Sequence, residues 1–339
     1  MNNRDDLPVR RLLTSLQPFL DRDDVLEIIM NRPGEVFVES ASRGWEQHEV
    51  PMDFKQCRAL AVAVATYFDD DINETQPLLS ASLPGGERVQ FVIPPAVPRD
   101  TVSITIRRPS RVTPRLADLE AAGLFDRVVE KPNQLQQHEM ELLELMKARR
   151  YAQFLLRAVQ LRKTIVVSGQ TGAGKTHILK ALAEEIGHAE RLVTIESVPE
   201  ILLPSHPNSV HLFYSDAGKT KTTPKELLKA ALRMRPDRIL LTEVRSDECI
   251  FWVRAAASGH PGSMTTLHAG SCTEAYEQMA LMIRQAPGGA GLTDQEIKRL
   301  LTLTVDIVIQ FGNDGTGRYV REIDYDPQRK LDLAHGGRQ

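Results

Sequence analysis

The run Gly169-Gln170-Thr171-Gly172-Ala173-Gly174-Lys175-Thr176 fits the phosphate-binding pattern G-x-x-x-x-G-K-[ST] at every fixed position. Glycines let a backbone turn sharply and aim its N–H groups at phosphate oxygens. A helix start directly after the loop adds partial positive charge. In that arrangement Lys175 reaches the β- and γ-phosphates of ATP and the Thr176 hydroxyl holds Mg²⁺. The expected nucleotide-contacting run extends from Gly169 through His177. It needs a strand before it and a helix after it. Lys163 to Ser168 reads as a short buried strand, and Ile178, Leu179, Leu182 and Ile186 recur at helical spacing before Gly187.

Three downstream stretches carry further chemistry. Arg238-Ile239-Leu240-Leu241-Thr242-Glu243 is an apolar strand ending in a carboxylate, the place where such a group meets Mg²⁺ or the attacking water. Leu192-Val193-Thr194-Ile195-Glu196 delivers another carboxylate, with Glu200 four residues on; a glutamate there orients water or holds a metal-bound water. Gly259 to Ala269 places His260 and His268 around a short strand, which suggests a γ-phosphate sensor. The expected catalytic set is therefore Lys175, Glu196, Glu243 and His268, with Thr176 and Glu243 as metal ligands.

The elements that position these groups are legible. Val25 to Met30, Glu35 to Glu39 and Trp45 to Val50 read as strands, with Asn31-Arg32-Pro33-Gly34 as a turn. Phe54 to Phe68 reads as a helix, two strands flank Pro84-Gly85-Gly86, and Thr101 to Arg107 alternates like another strand. From about 116 to 162 the pattern is helical and charged, interrupted at Lys131-Pro132-Asn133. Beyond 163, strands and helices alternate, which argues a mostly parallel, helix-covered sheet. Capping-box spacing marks helix starts at Thr223, Ser271 and Thr293. Val305 to Phe311 and Arg318 to Tyr325 read as a hairpin, and Leu333 to Gln339 as a frayed tail.

Composition narrows the class. With 339 residues and 42% apolar content the chain supports two cores. A net charge of −3 and 5% aromatic residues leave direct nucleic-acid contact possible but unsupported, and the basic Lys147-Ala148-Arg149-Arg150 reads as a solvated helix face. Three scattered cysteines without a C-x-x-C pair argue against a disulfide framework or zinc site. The charged N-terminus and the shortness of the Ala59 to Ala65 apolar run point to a soluble chain, one that could still sit on a membrane through a partner.

In order and approximate spacing, GQTGAGKT, TIESVPEI, LRMRPDRILLTEVR and GHPGSMTTLHAGS resemble the Walker A, Asp, Walker B and His boxes of the secretion ATPase superfamily of type II and type IV secretion. The resemblance is strong over about 150 to 312 and is greatest to the hexameric ATPases of type IV secretion and conjugation. It extends weakly through Gly86 to Gln90 and Ser103 to Ser110. Two positions depart from the family: Ser197 stands where an aspartate is usual, and Thr242 where a glycine is usual.

The resemblance implies an α/β RecA-like P-loop C-terminal domain with a smaller α+β N-terminal domain. The expected division is 1–130 for oligomerisation and nucleotide capping, 131–149 as linker, and 150–339 as the ATPase domain. It further implies a homo-hexamer at the inner-membrane base of a secretion machine, ATP and Mg²⁺ as cofactors, inner-membrane and cytoplasmic secretion components as partners, and a secreted substrate. Arg88, Arg107 and Arg108, in strand-like stretches resembling family segments that reach nucleotide, are expected to complete the nucleotide site. The alternatives are a type II secretion or type IV pilus motor, a nucleic-acid translocase, and a scaffold that binds nucleotide without hydrolysing it.

Overall fold

A computed structural model describes residues 6–109, 113–130, 132–215 and 222–336. The N-terminal half begins with α1 (Leu7–Leu12) and α2 (Gln17–Leu20), followed by β1 (Val25–Met30), β2 (Glu35–Ser40) and β3 (Gly44–Glu49). Then come α3 (Phe54–Tyr67), β4 (Leu78–Ser82), β5 (Arg88–Val92) and β6 (Ser103–Arg107). The six strands form one antiparallel sheet in the order β3-β2-β1-β6-β5-β4. Gly34, at φ 91°, takes the left-handed turn between β1 and β2 that a side chain would resist. Helix α3 starts on a reciprocal cap, Gln56 N–H to Asp53 Oδ1 at 2.8 Å and Asp53 N–H to Gln56 Oε1 at 2.9 Å. Its Cys57, Leu60, Ala61 and Val64 pack on the sheet with Ile28, Val36, Phe91, Ile104 and Ile106.

The connecting stretch holds α4 (Leu116–Ala121) and α5 (Gln137–Lys147). Of the 131–149 segment expected as a linker, α5 packs against α6 (Tyr151–Gln160), and its Leu142 is fully buried in a C-terminal core with Phe154 and Ile165. The C-terminal half continues as β7 (Ile165–Gly169), α7 (Lys175–Glu184), β8 (Leu192–Glu196), β9 (Ser209–Phe213), α8 (Pro224–Ala231), β10 (Arg238–Leu241), α9 (Glu248–Ala257) and β11 (Met264–Leu267). It closes with α10 (Cys272–Gln285), α11 (Asp294–Thr304), β12 (Ile307–Asn313), β13 (Arg318–Asp324) and α12 (Pro327–Ala334). Leu333 is buried at the end of α12, so only 337–339 of the expected frayed tail lie outside the described residues.

The seven strands run β13-β12-β7-β11-β10-β8-β9, all neighbours parallel except β12 with β13. Alternate residues of each strand face opposite cores. Val166, Val193, Ile239 and Leu241 lie under α8 to α11, while Ile165, Val167, Leu192 and Leu240 lie under α5 to α7. A sheet covered on both faces explains why these strands read as continuous apolar runs.

The two halves meet in a buried seam. Val92, Ala96 and Val97 join the C-terminal core, and Phe213 N–H donates to Ala96 O at 2.8 Å. Arg191 is fully buried there and donates to Met234 O at 2.8 Å, Asn31 Oδ1 at 2.7 Å and Asn208 Oδ1 at 2.6 Å. Burial pushes its pKa down to about 9. Arg235 reaches Glu39 of β2 at 2.5 Å and lies over the Trp45 ring.

Candidate active site

In a parallel sheet the carboxyl ends of neighbouring strands open on one side. Here β7, β8, β10 and β11 deliver there the glycine loop, Glu196, Glu243 and His268, and a cavity of about 380 Å³ lies among their ends. Thr171, Gly172, Gly174, Lys175, Thr176 and His177 form one wall. Gly172 (φ 77°) and Gly174 (φ 99°) take left-handed conformations that let the loop turn into α7. A side chain at Gly174 would also meet Arg318 Cδ at 3.0 Å.

Lys175 is the first residue of α7 and is buried. Its amine donates to Gly169 O at 2.9 Å, Gln170 O at 3.1 Å and His268 Nδ1 at 3.2 Å. Lysine has only donors, so His268 accepts at Nδ1 and carries its proton on Nε2. That Nε2 lies 2.7 Å from Glu243 Oε1. The approach lacks hydrogen-bond alignment, so Oε1 is buried without a hydrogen-bond partner, whereas Oε2 accepts from Arg245 at 2.8 Å. Burial lowers the Lys175 pKa from its ordinary value, and the Glu243 charge opposes that shift.

Thr242, in the position where glycine is usual, donates its hydroxyl to Ile195 O at 3.2 Å, so the larger side chain is tied to the neighbouring strand. Ser197 lines the cavity. The orphaned Oε1 of Glu243 and the Thr176 hydroxyl share this cavity, a hard-oxygen pair that suits Mg²⁺.

Other expected site residues lie elsewhere. Glu196, expected among the catalytic groups, is instead fully buried and does not line the cavity; Glu200 does. Burial opposes ionisation of Glu196, but hydrogen bonds from His211, Ile201, Thr194 and Glu200 outweigh it and lower its pKa. His260 precedes β11, at the end opposite His268, with Nδ1 2.9 Å from Pro236 O. Arg88, Arg107 and Arg108 are also absent from the cavity lining. Arg88 and Arg107 face each other in register across β5 and β6, Arg107 lies 3.6 Å from Glu27, and Arg108 donates to Val25 O at 3.3 Å. Sequence reasoning missed Arg318 and Arg245 in the cavity wall. Arg245 lies just beyond the strand-end glutamate, a local signal. Arg318 has none, since it arrives through the pairing of β12 with β7 and of β13 with β12.

A glycine loop feeding a helix whose first residue is lysine, beside a strand-end glutamate on a parallel sheet, defines a P-loop ATPase. Residues 13–310 match the family described as "Type II/IV secretion system protein", and the chain belongs to that family. It is 47% identical over 333 residues to the type IV secretion system protein VirB11 of Brucella suis, covering 95% of this chain and 92% of that protein. It is 41% identical over 320 residues to PtlH of Bordetella pertussis, also a type IV secretion system protein, covering 92% and 94%. The crystal structure of the VirB11 ATPase from the Brucella suis type IV secretion system, in complex with sulphate, superposes with a TM-score of 0.92 at 46% identity, covering 97% of each chain.

Proposed function

We propose that this chain is a Mg²⁺-dependent ATPase that powers assembly of, and substrate transfer through, a type IV secretion system. The observation that carries the proposal is the contact chain Lys175–His268–Glu243 across one cavity beside the start of α7. The loop N–H groups and the α7 N-terminus receive the phosphates, and Lys175 moves from loop carbonyls to the β- and γ-oxygens. Glu243 orients the attacking water, and His268 transmits the arrival of the γ-phosphate from Lys175 to Glu243. Thr176 and Glu243 would hold Mg²⁺, which would supply positive charge toward the phosphates.

Arg88 and Arg107 support a ring. Like charges directly opposite on paired strands are destabilising, and an anion between them relieves the repulsion. Neither lines this chain's own cavity, so the reading is that they meet nucleotide held by a neighbouring copy, in a homo-hexamer with head-to-tail contacts. No helix among the described residues is long and apolar enough to cross a membrane. The proposed location is cytoplasmic and peripheral at the inner membrane, held there by secretion components. The similarity to proteins named for type IV secretion supports that system over a type II or pilus motor.

The test is ATP turnover with and without Mg²⁺. Lys175→Ala should weaken nucleotide binding and abolish turnover, and Glu243→Gln should keep binding but stop hydrolysis. Wild-type turnover in either variant would overturn the proposal.

A further inference from the structure

Glu196 is the last residue of β8 and has no exposed surface. Its carboxylate accepts four hydrogen bonds. Oε1 takes the Thr194 hydroxyl at 2.5 Å and His211 Nδ1 at 3.1 Å. Oε2 takes the backbone N–H groups of Glu200 and Ile201, both at 2.8 Å. The two backbone N–H groups can only donate, and an ionised carboxylate, which only accepts, meets all four contacts at once. A glutamine that keeps its oxygen on the two backbone N–H groups loses the charge that strengthens those bonds and turns its N–H₂ toward Thr194 and His211, which must reverse their roles to accept it.

The segment after Glu196 has two sides. Ser197, Val198 and Glu200 line the ATPase cavity. Leu202 and Leu203 line a second cavity, of about 570 Å³, between the two halves of the chain, and His211 lines it too. His211 stands opposite Thr194 on β9, the strand that Ala96 of the N-terminal half bonds. The same carboxylate therefore ties together the loop that carries Glu200 and a histidine on the interdomain cavity.

We propose that Glu196 is a positioning residue that holds Glu200 at the nucleotide and, through His211, couples the nucleotide cavity to the cavity between the halves. Glu200 is the carboxylate that meets the phosphates or their water, and Glu196 acts through it. This inference rests on the ATPase reading above. Coupling between two sites is reciprocal, so nucleotide bound at one cavity changes the other.

The experiment is a double-mutant cycle in the full chain. Glu196→Gln and Glu200→Gln should each lower kcat by about tenfold or more while leaving ADP affinity within about threefold. The double variant should be no slower than Glu200→Gln alone, because the first residue works through the second. Hydrogen exchange gives the second readout. In wild type, ADP should slow amide exchange at both 198–203 and 207–213; in Glu196→Gln, 198–203 should exchange faster and the response at 207–213 should be lost. His211→Gln, which touches only the half-buried end of the relay, should lose that 207–213 response while retaining ADP binding, and it serves if Glu196→Gln does not fold. Multiplicative losses in the double variant, or an unchanged 207–213 response in His211→Gln, would overturn the relay while wild-type turnover stands. A wild-type chain without Mg²⁺-dependent turnover would overturn the ATPase reading and the relay with it.

Discussion

Replacing Glu27 with glutamine should make stability respond differently to pH. Glu27 sits on β1 and is 4% exposed. Its Oε2 has no hydrogen-bond partner, and its Oε1 is 3.6 Å from the exposed Arg107. Burial raises its pKa to about 7; Arg107, Arg235 and Arg191 oppose the rise and Glu39 adds to it. An acid whose folded pKa lies above its unfolded value of 4.5 is bound more tightly to its proton in the folded state. Stability therefore falls as pH rises through the window from 4.5 to about 7, and the cost is fully present above it. At 1.36 kcal/mol per pKa unit, that cost is about 3 kcal/mol. Glutamine carries no charge to desolvate, but its N–H₂ takes over the unpartnered position, a penalty of about 1–3 kcal/mol that is the same at every pH. The informative quantity is thus the change in the difference between variant and wild type, which should shift by about 2.5 kcal/mol in favour of the variant between pH 5 and pH 8, the rest having accrued below pH 5. Urea unfolding at both pH values, with equal m-values, measures it. A difference that stays constant between the two would refute the buried charge as the cause.

Further expectations are open to direct test. His268→Ala should lower turnover by about tenfold or more with ADP affinity within about threefold, since His268 contacts Lys175 and Glu243; weak ADP binding with early melting would make it a folding residue instead. At least one of Arg88→Ala, Arg107→Ala and Arg108→Ala should cut turnover by a factor on the order of 10³ without unfolding the chain, the scale of a supplied arginine; full activity in all three would leave the C-terminal half working alone. Leu142→Ala should cost about 2–5 kcal/mol, because its side chain is fully buried in the C-terminal core; a change under 1 kcal/mol in urea unfolding would return α5 to the status of a loose connector. Mass measurement with ATP and Mg²⁺ should give six copies, and a strict monomer at micromolar concentration counts against the ring.

Much of this architecture is local in origin and was readable for that reason. The strand from Val25 to Met30 ends at a turn whose residues announce it, and the helix starts at Thr223 and Thr293 carry both partners of their caps within four positions. The loop from Gly169 to Thr176 is likewise self-contained. What escaped is long-range. β9 is a short strand behind a proline-containing stretch, and it becomes a strand by pairing with β8. Arg318 reaches the loop through two successive strand pairings that no local pattern encodes. Glu196 and Glu200 are both plausible from spacing; the four donors that turn Glu196 inward come from β8, β9 and the loop together. The 131–149 stretch looks like a connector because it is charged, yet one face of α5 carries Leu142 into a core assembled from distant strands.

The guanidinium of Arg191 has an evolutionary corollary. It is held by Asn31 from one half of the chain and Asn208 from the other, with no water-facing surface to retreat to. Losing either amide oxygen strands part of a buried cation, whereas losing the cation leaves the Asn31 oxygen short of a donor, since Asn208 Oδ1 still accepts from Asn31 Nδ2. Neither change is neutral by itself, so drift at these three positions is blocked unless they move as a set. Among relatives, residues 31, 191 and 208 should therefore co-vary, a statistical link across the boundary between two halves whose surfaces are otherwise free to diverge.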